Sequence, residues 1–533
     1  MMKNFVLLFC LLTAFILPAK GQESDTSMLR QPYRFEFERK MSDDDFTVIS
    51  LHQNGLALLR EKNKFKSGNR AWELILLDTT LTQKHLLEID IDQRKRLVAY
   101  EFAPGYLFLV FKTGEASRLS LDLFTVSVAD ASVERHAINP ELNFQLTHFI
   151  RVQENFILGG YVNNEPAVLL YNPATDNIKV LPGFFQKQTQ LLDLRPNING
   201  TFNIILMNRV ERYNQKLILK TFDSSGLELL EDQIAVDERY GIQSAITSTL
   251  HREDLSIIGT WGSRGAKQAN GFFFVTVDPF EDQSIRYTAF GELNHYLDYF
   301  KPGKAARIKA KTKQAIQSKR IPDFINYVVP YRMDEHRQGF IMLAETYIPS
   351  TTYNRYPDPF PYYGYGMMPG YSPYWGYYPG TYNRLYNPYS YYGNNVRNSD
   401  EVKATQSVLV AFNEQGKPIW DYQLSLQDFR MPALEQVADF AVDHNGLCFL
   451  YKNESELNVK IISFDGEPTR EGKEKLRLLN DGDEIRNEIK TAGAVRQWYD
   501  KTFFVWGQHT IRNQSVREEG NRQVFYINKL VCR

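Results

Sequence analysis

Apolar residues in this 533-residue chain fall in short runs rich in Val, Ile, Leu, Phe and Tyr, separated by turn-forming residues. Helical spacing is scarce, so the pattern predicts strands joined by tight turns. The runs recur in a fixed order. One complete copy extends from Asn143 to Leu181: a strand, a turn at Gln153-Glu154-Asn155, a second strand at Phe156–Val162, a third at Ala167–Asn172, and a fourth ending at Leu181. The second strand recurs from Gly55, Tyr106, Phe202, Leu255, Gly339, Gly446 and Phe503, and a third strand follows each time. Third strands close on Asp78, Asn172, Asp223, Asp278, Asn413 and Asp465. Such residues open hairpin turns because their short side chains bond backbone amides further along.

Successive second strands start about 50 residues apart, and a four-stranded unit at that period is the signature of a β-propeller. One such sheet cannot cover both its faces, so blades must stack around a ring. The expectation is an all-β fold, a β-propeller of eight four-stranded blades, with seven blades plus a divergent sheet as the alternative. The eighth copy stops after its third strand, near Leu530. Pro32–Arg39 alternates apolar and polar residues ahead of the first copy. It is expected to supply the missing strand and close the ring, removing an open sheet edge. The copies lack the Gly-His and Trp-Asp marks of WD40 repeats and the kelch pattern. Ala411–Leu424 resembles one tryptophan-docking repeat of the quinoprotein-like propellers, although Trp420 has no counterpart in the other blades.

Two segments interrupt the repeat. Residues 291–324, between the fifth and sixth copies, read as a helical basic insertion. Lys301 to Arg320 holds eight basic residues and no acidic one, with Ala305, Ile308, Thr312, Ala315 and Ile316 on one side at helical spacing. Residues 351–400 fall inside the sixth copy. Within them Tyr353–Tyr392 holds 14 of the 31 tyrosines among prolines and glycines, and no strand is expected there. Strands in a blade alternate direction. A loop between strands two and three therefore opens on the same face as a loop leading to the next blade, which puts both insertions beside blade six on one face.

Composition changes the picture at the N-terminus. Lys3, the apolar run Phe5–Leu17 and the small-x-small site at Ala19-Lys20-Gly21 form a secretory signal peptide over residues 1–21. Its ending resembles signal peptides of the Bacteroidota. Cys10 follows Phe9 inside the apolar run, which argues against lipidation. Residues 22–533 are then a single propeller domain, periplasmic or attached to the cell surface, without a transmembrane span. The 62 basic and 63 acidic residues nearly cancel, so charge does not argue for nucleic acid. Cys448 and Cys532 are expected as separate thiols, one in a buried strand and one near the chain end, with a bridge as the lesser alternative.

Catalytic motifs are missing: there is no G-x-S-x-G, P-loop, G-x-G-x-x-G, H-E-x-x-H or EF-hand loop. His52, His251, His336 and His444 fall in first-to-second-strand turns of different blades, so no shared metal is expected. Asp43-Asp44-Asp45 reads as a solvated loop, and no cofactor is implied. The leading reading is an exported, non-catalytic binding or scaffold protein of the cell envelope that takes a protein or glycan partner through the blade-six face. Candidate contacts are Tyr362, Tyr363, Tyr365, Tyr374, Trp375, Tyr377 and Tyr378, whose rings give large contact area at small entropic cost. Lys304, Arg307 and Lys311 would serve an anionic partner. The alternative is a propeller enzyme acting on carbohydrate, with channel carboxylates as acid and base and the aromatic stretch as a lid. A third reading is self-association through that stretch.

Overall fold

In the computed structural model of the chain, the apolar runs pair into eight antiparallel sheets that form the blades of a β-propeller. The structure describes residues 27–39, 46–66, 68–113, 120–209, 215–250, 255–278, 283, 285–336, 339–348, 377–378, 381–382, 402–431, 435–464, 469–488, 494–513 and 521–533. Blade three shows the unit. Phe144–Val152, Asn155–Val162, Glu165–Asn172 and Asn177–Val180 pair in sequence order from the ring axis outward.

Second and third strands are buried on both faces, as in Phe202–Asn208 of blade four, which explains their unbroken apolar runs. Outer strands alternate instead. In Gln83–Asp92 of blade one, Ile89 and Ile91 are buried while Glu88 and Asp90 are exposed. The core is therefore a series of wedges between neighbouring blades. Between blades five and six it holds Phe272, Phe274, Phe340 and Phe412. The Asn413 turn on blade six fits this wedge only because Gly416 (φ +70°) has no side chain, since a Cβ there would collide with the Phe274 ring.

Polar staples join the inner ends of the blades. Asp193 on Thr189–Pro196 accepts the Thr247 amide of blade five at 3.1 Å. Glu335 on Tyr327–His336 accepts the Thr249 amide at 3.2 Å. Asp439 on Ala438–Val442 accepts the Gln497 amide of blade eight at 2.8 Å. The inner strands of blades two to six also share one irregularity, a register shift at Leu97/Ala99, Leu146/His148, Leu191/Asp193, Ile242/Ser244 and Pro330/Arg332. A bulge of this kind raises local twist and re-aims the side chain that follows it.

The ring closes with a strand from the N-terminus, as the sequence predicts. Leu29–Glu38 pairs antiparallel with Arg522–Cys532 of blade eight, Phe35 facing Ile527. The strand begins before Pro32, with a register shift between Arg30 and Tyr33, and proline is tolerated there because the strand is outermost. Both ends are also tied to blade seven. Glu474 accepts hydrogen bonds from the Leu29 amide (3.2 Å) and the Ser27 hydroxyl (2.9 Å). Cys448 and Cys532 form a disulfide across 84 residues, which corrects the expectation of two separate thiols. Ring order puts the second strand of blade seven against the third strand of blade eight, a proximity that sequence separation conceals. No helix among the described residues is long and apolar enough to cross a membrane.

Candidate functional site

Blade six has the longest paired strands of the ring, and the Tyr-rich segment leaves from their ends. Gly339–Ile348 and Val402–Asn413 pair down to Ile348 and Lys403, so both flanks of that segment belong to one sheet. Beneath this end lie Tyr347, Val402, Ala404, Leu426 and Met431, all buried.

The connector from blade five reaches the same place. After Ala289 the chain makes a short turn of 3-10 helix at Phe290–Glu292, then buries Leu293, Tyr296 and Leu297 in the wedge between blades five and six. The stretch from Leu293 to Phe300 is not helical, so within the expected helical basic insertion of residues 291–324 the α-helix is confined to Pro302–Gln317. Its apolar residues serve as a plug, and its backbone amides are claimed elsewhere. Asp421, buried on the outer strand of blade six, accepts the amides of Asn294 (2.7 Å) and His295 (2.6 Å). Burial raises the Asp421 pKa, and the bonds to these amides oppose that shift. The Tyr296 hydroxyl meets the Thr346 hydroxyl at 3.2 Å and accepts a bond from Asn326 at 3.2 Å. The connector thus touches the strand from which the Tyr-rich segment departs, two residues beyond Thr346.

Helix α1 (Pro302–Gln317) follows, with Pro302 in its first turn, where the missing N–H costs nothing. Ala305, Ile308 and Ala315 are half-buried and Thr312 is buried, but Ile316 is 41% exposed, so the apolar stripe ends one residue earlier than its spacing predicts. Thr312 lies against Gly291, where any side chain would collide. Lys309 points back and donates to the Asn294 carbonyl. Lys304, Arg307 and Lys311 are exposed along one side of α1, with Lys304 Nζ held 3.7 Å above the Phe300 ring.

Of the aromatic candidates, Tyr362, Tyr363, Tyr365, Tyr374 and Trp375 lie outside the described residues, as do His251 and Asp43-Asp44-Asp45. The backbone of Tyr377–Tyr378 pairs with Thr381–Tyr382 and runs parallel to the inner strand of blade six at Arg332, a short hairpin where no strand was expected. His52, His336 and His444 stand at the turns of blades one, six and seven, and no metal-binding group of three or more ligating side chains occurs among the described residues.

Sequence reasoning missed Tyr296, Thr346, Asp421 and Glu345, which carry no motif. Glu345 is buried beside Thr346, and its carboxylate accepts the amides of Val437 (3.0 Å) and Ala438 (2.8 Å) of blade seven. Burial pushes its pKa from 4.5 up to about 7 despite these bonds. The folded chain therefore holds a proton that the unfolded chain releases above pH 4.5. Stability from this group is complete below pH 4.5 and is lost as pH rises through 7, on the order of 3 kcal/mol. Thermal midpoints across pH 4–8 are expected to fall less steeply in Glu345→Gln than in the native chain. Parallel profiles would show that the group does not titrate there.

Of the inner-strand acids, where the enzyme reading places its acid and base, Asp193 and Asp439 accept backbone amides of a neighbouring blade, whereas neither carboxylate oxygen of Glu101 has a hydrogen-bond partner among the described residues. Glu101 on the inner strand of blade two is fully buried, and burial raises its pKa well above the usual carboxylate range, opposed by the charge of Arg151.

No family model and no curated protein matches the sequence. Among solved structures, the chain is similar to the β-propeller domain of the Trilobed protease from Pyrococcus furiosus (10% identity, TM-score 0.33, 80% of this chain and 95% of that one). It is similar to prolyl oligopeptidase B from Galerina marginata at 10% identity and TM-score 0.38, over 91% of this chain and 56% of that one. A third is the polysaccharide lyase Uly1, at 7% identity and TM-score 0.38, over 94% of this chain and 99% of that one. The chain spans little more than half the length of the prolyl oligopeptidase and prolyl endopeptidase chains it matches. Likenesses at this level say nothing about activity. The eight-bladed propeller rests on the strand pairing of the chain itself.

Proposed function

We propose that the chain is an exported, non-catalytic binding or scaffold protein of the cell envelope that captures a protein or glycan partner through the blade-six face. The observation that carries this reading is the Tyr296–Thr346 contact. It fastens the connector of the basic helix to the strand that launches the Tyr-rich segment, so a cationic and an aromatic element share one rigid root. Lys304, Arg307 and Lys311 face outward on α1, which itself is held by Thr312 and Lys309. Rigid mounting lowers the ordering cost of binding. The Cys448–Cys532 bridge supports an oxidising compartment, in keeping with the leader at residues 1–21.

The triple variant Lys304→Glu, Arg307→Glu and Lys311→Glu is expected to fold normally, since all three side chains are exposed. Capture of the envelope partner is expected to weaken by about tenfold or more and to lose its dependence on salt. An unchanged affinity at low salt would remove the helix from the binding surface.

A further inference from the structure

A chain of buried polar side chains runs through the seam where the ring closes. Arg34 and Glu36 come from the N-terminal strand, Asp483, Glu488, His509 and Arg522 from blade eight, and Lys452 from the second strand of blade seven. Arg522 bonds Glu36 at 2.5 Å and Asp483 at 2.7 Å, and Glu36 bonds Arg34 at 2.7 Å. Arg34 Nη2 reaches His509 Nδ1 at 3.4 Å, and His509 Nε2 stands 3.5 Å from Glu488 Oε2. Lys452 Nζ meets Glu488 Oε1 at 2.9 Å. None of these seven side chains is more than 13% exposed. Three cations face three anions, so the chain is balanced while His509 is neutral.

His509 is the member that can upset this balance near neutral pH. A guanidinium only donates, so His509 Nδ1 accepts from Arg34 and the neutral ring carries its proton on Nε2, toward Glu488. Tyr526 covers the ring at 4.1 Å between centroids, and Arg34 lies 4.4 Å above the same Tyr526. A second proton would sit on Nδ1, against the Arg34 N–H, and add a fourth cation to a buried site. Burial, helped by repulsion from Arg34 and Lys452, outweighs the attraction of Glu488 and lowers the His509 pKa below 6.5. The acids stay charged where histidine titrates. Burial raises the Glu488 pKa, but His509 and Lys452 outweigh it and hold it below 4.5. Burial is also outweighed at Asp483, which Asn513, the Asn480 amide and Arg522 hold below 3.8. Burial raises the Tyr526 pKa well above 10, so its hydroxyl stays neutral.

We propose that His509 is an acid-sensitive latch on the closure of the ring. When it takes a proton, Arg34 loses this acceptor and is repelled, keeping only Glu36 and Asn528 on its own side of the seam. The N-terminal strand Leu29–Glu38 then opens from Arg522–Cys532 in a local fluctuation that the other blades do not share. The contribution of His509 to the seam is complete above pH 6.5 and is lost as pH falls through the lower value of the folded chain. The latch is independent of the blade-six face.

Hydrogen exchange of the full chain at about pH 7.5 and about pH 5, corrected for intrinsic rates, tests the latch, because each unit below 6.5 favours the open seam by about tenfold. Protection of the Leu29–Glu38 amides is expected to fall at least about tenfold on acidification. In His509→Gln, whose amide accepts from Arg34 and donates toward Glu488 without titrating, the fall should be about threefold or less. The Phe202–Asn208 amides of blade four should remain the better protected at the lower pH. Unchanged protection in the native chain, an equal fall in His509→Gln, or equal protection of the two strands at the lower pH would each overturn the proposal. If His509→Gln fails to fold, nitrogen NMR of the His509 ring in the native chain decides. A proton on Nε2 and a midpoint below 6.5 support the latch, whereas a proton on Nδ1 or a midpoint at or above 6.5 overturns it.

Discussion

Deletion of residues 22–39 is expected to abolish cooperative folding, although it removes less than one blade. The lost strand pairs with Arg522–Cys532 along its length. Without it the last blade presents a long unpaired edge, a template for aggregation. Phe35 and Phe37 also leave the wedge where blade eight meets blade one, exposing Phe46, Trp498, Phe525 and Ile527. Two ion pairs go with them. Glu36, whose side chain is almost fully buried, bonds Arg34 at 2.7 Å and Arg522 at 2.5 Å, so its removal leaves Arg522 with Asp483 as its one acidic partner among the described residues. A ring transmits the damage, because each blade covers its neighbour. Circular dichroism and light scattering on the deleted chain should show a broad, early transition and aggregation. A sharp transition at the native midpoint would mean that the strand is dispensable.

Loss of the Cys448–Cys532 bridge is expected to have the next largest effect. It closes a loop of 84 residues, and chain-entropy reasoning gives about 4–5 kcal/mol for a loop of that size. The bridge acts on the same seam as the N-terminal strand, since Leu29 pairs with Cys532 and packs with Cys448 in one cluster. Cys532→Ser is the cleaner variant, because the residue stands next to the chain end. Denaturant unfolding of oxidised, reduced and Cys532→Ser chains should show the last two shifted together to lower midpoints. Coincidence of all three curves would show that the bridge does not form in solution.

Blade number and ring closure were legible because each second strand is a buried apolar run bounded by turn residues, and the alternation of Pro32–Arg39 marks an outer strand. Turn chemistry was equally plain: Asp78, Asp223 and Asn413 accept the backbone amides that their positions promise. The recurrent inner-strand bulges left no mark, since a bulge changes register without changing composition. Leu293, Tyr296 and Leu297 are spaced as a helix would space them, yet tertiary burial and Asp421 claim that segment for a plug. The staples from Asp193, Glu345 and Asp439 depend on which blades touch. The Tyr-rich segment was recognisable as an insertion from the strands on either side, which pair with each other in blade six.

The most direct measurement concerns that insertion. Chains with and without Tyr353–Tyr392, both checked for the native thermal midpoint, should be compared for capture of a binding partner from envelope extract. A third chain with exposed charges reversed on blade seven, Lys473→Glu and Glu456→Lys, serves as control. Retained folding, capture lost in the deletion and capture kept in the control is the result expected of a binding protein that works through blade six. Undiminished capture by the deleted chain would contradict it.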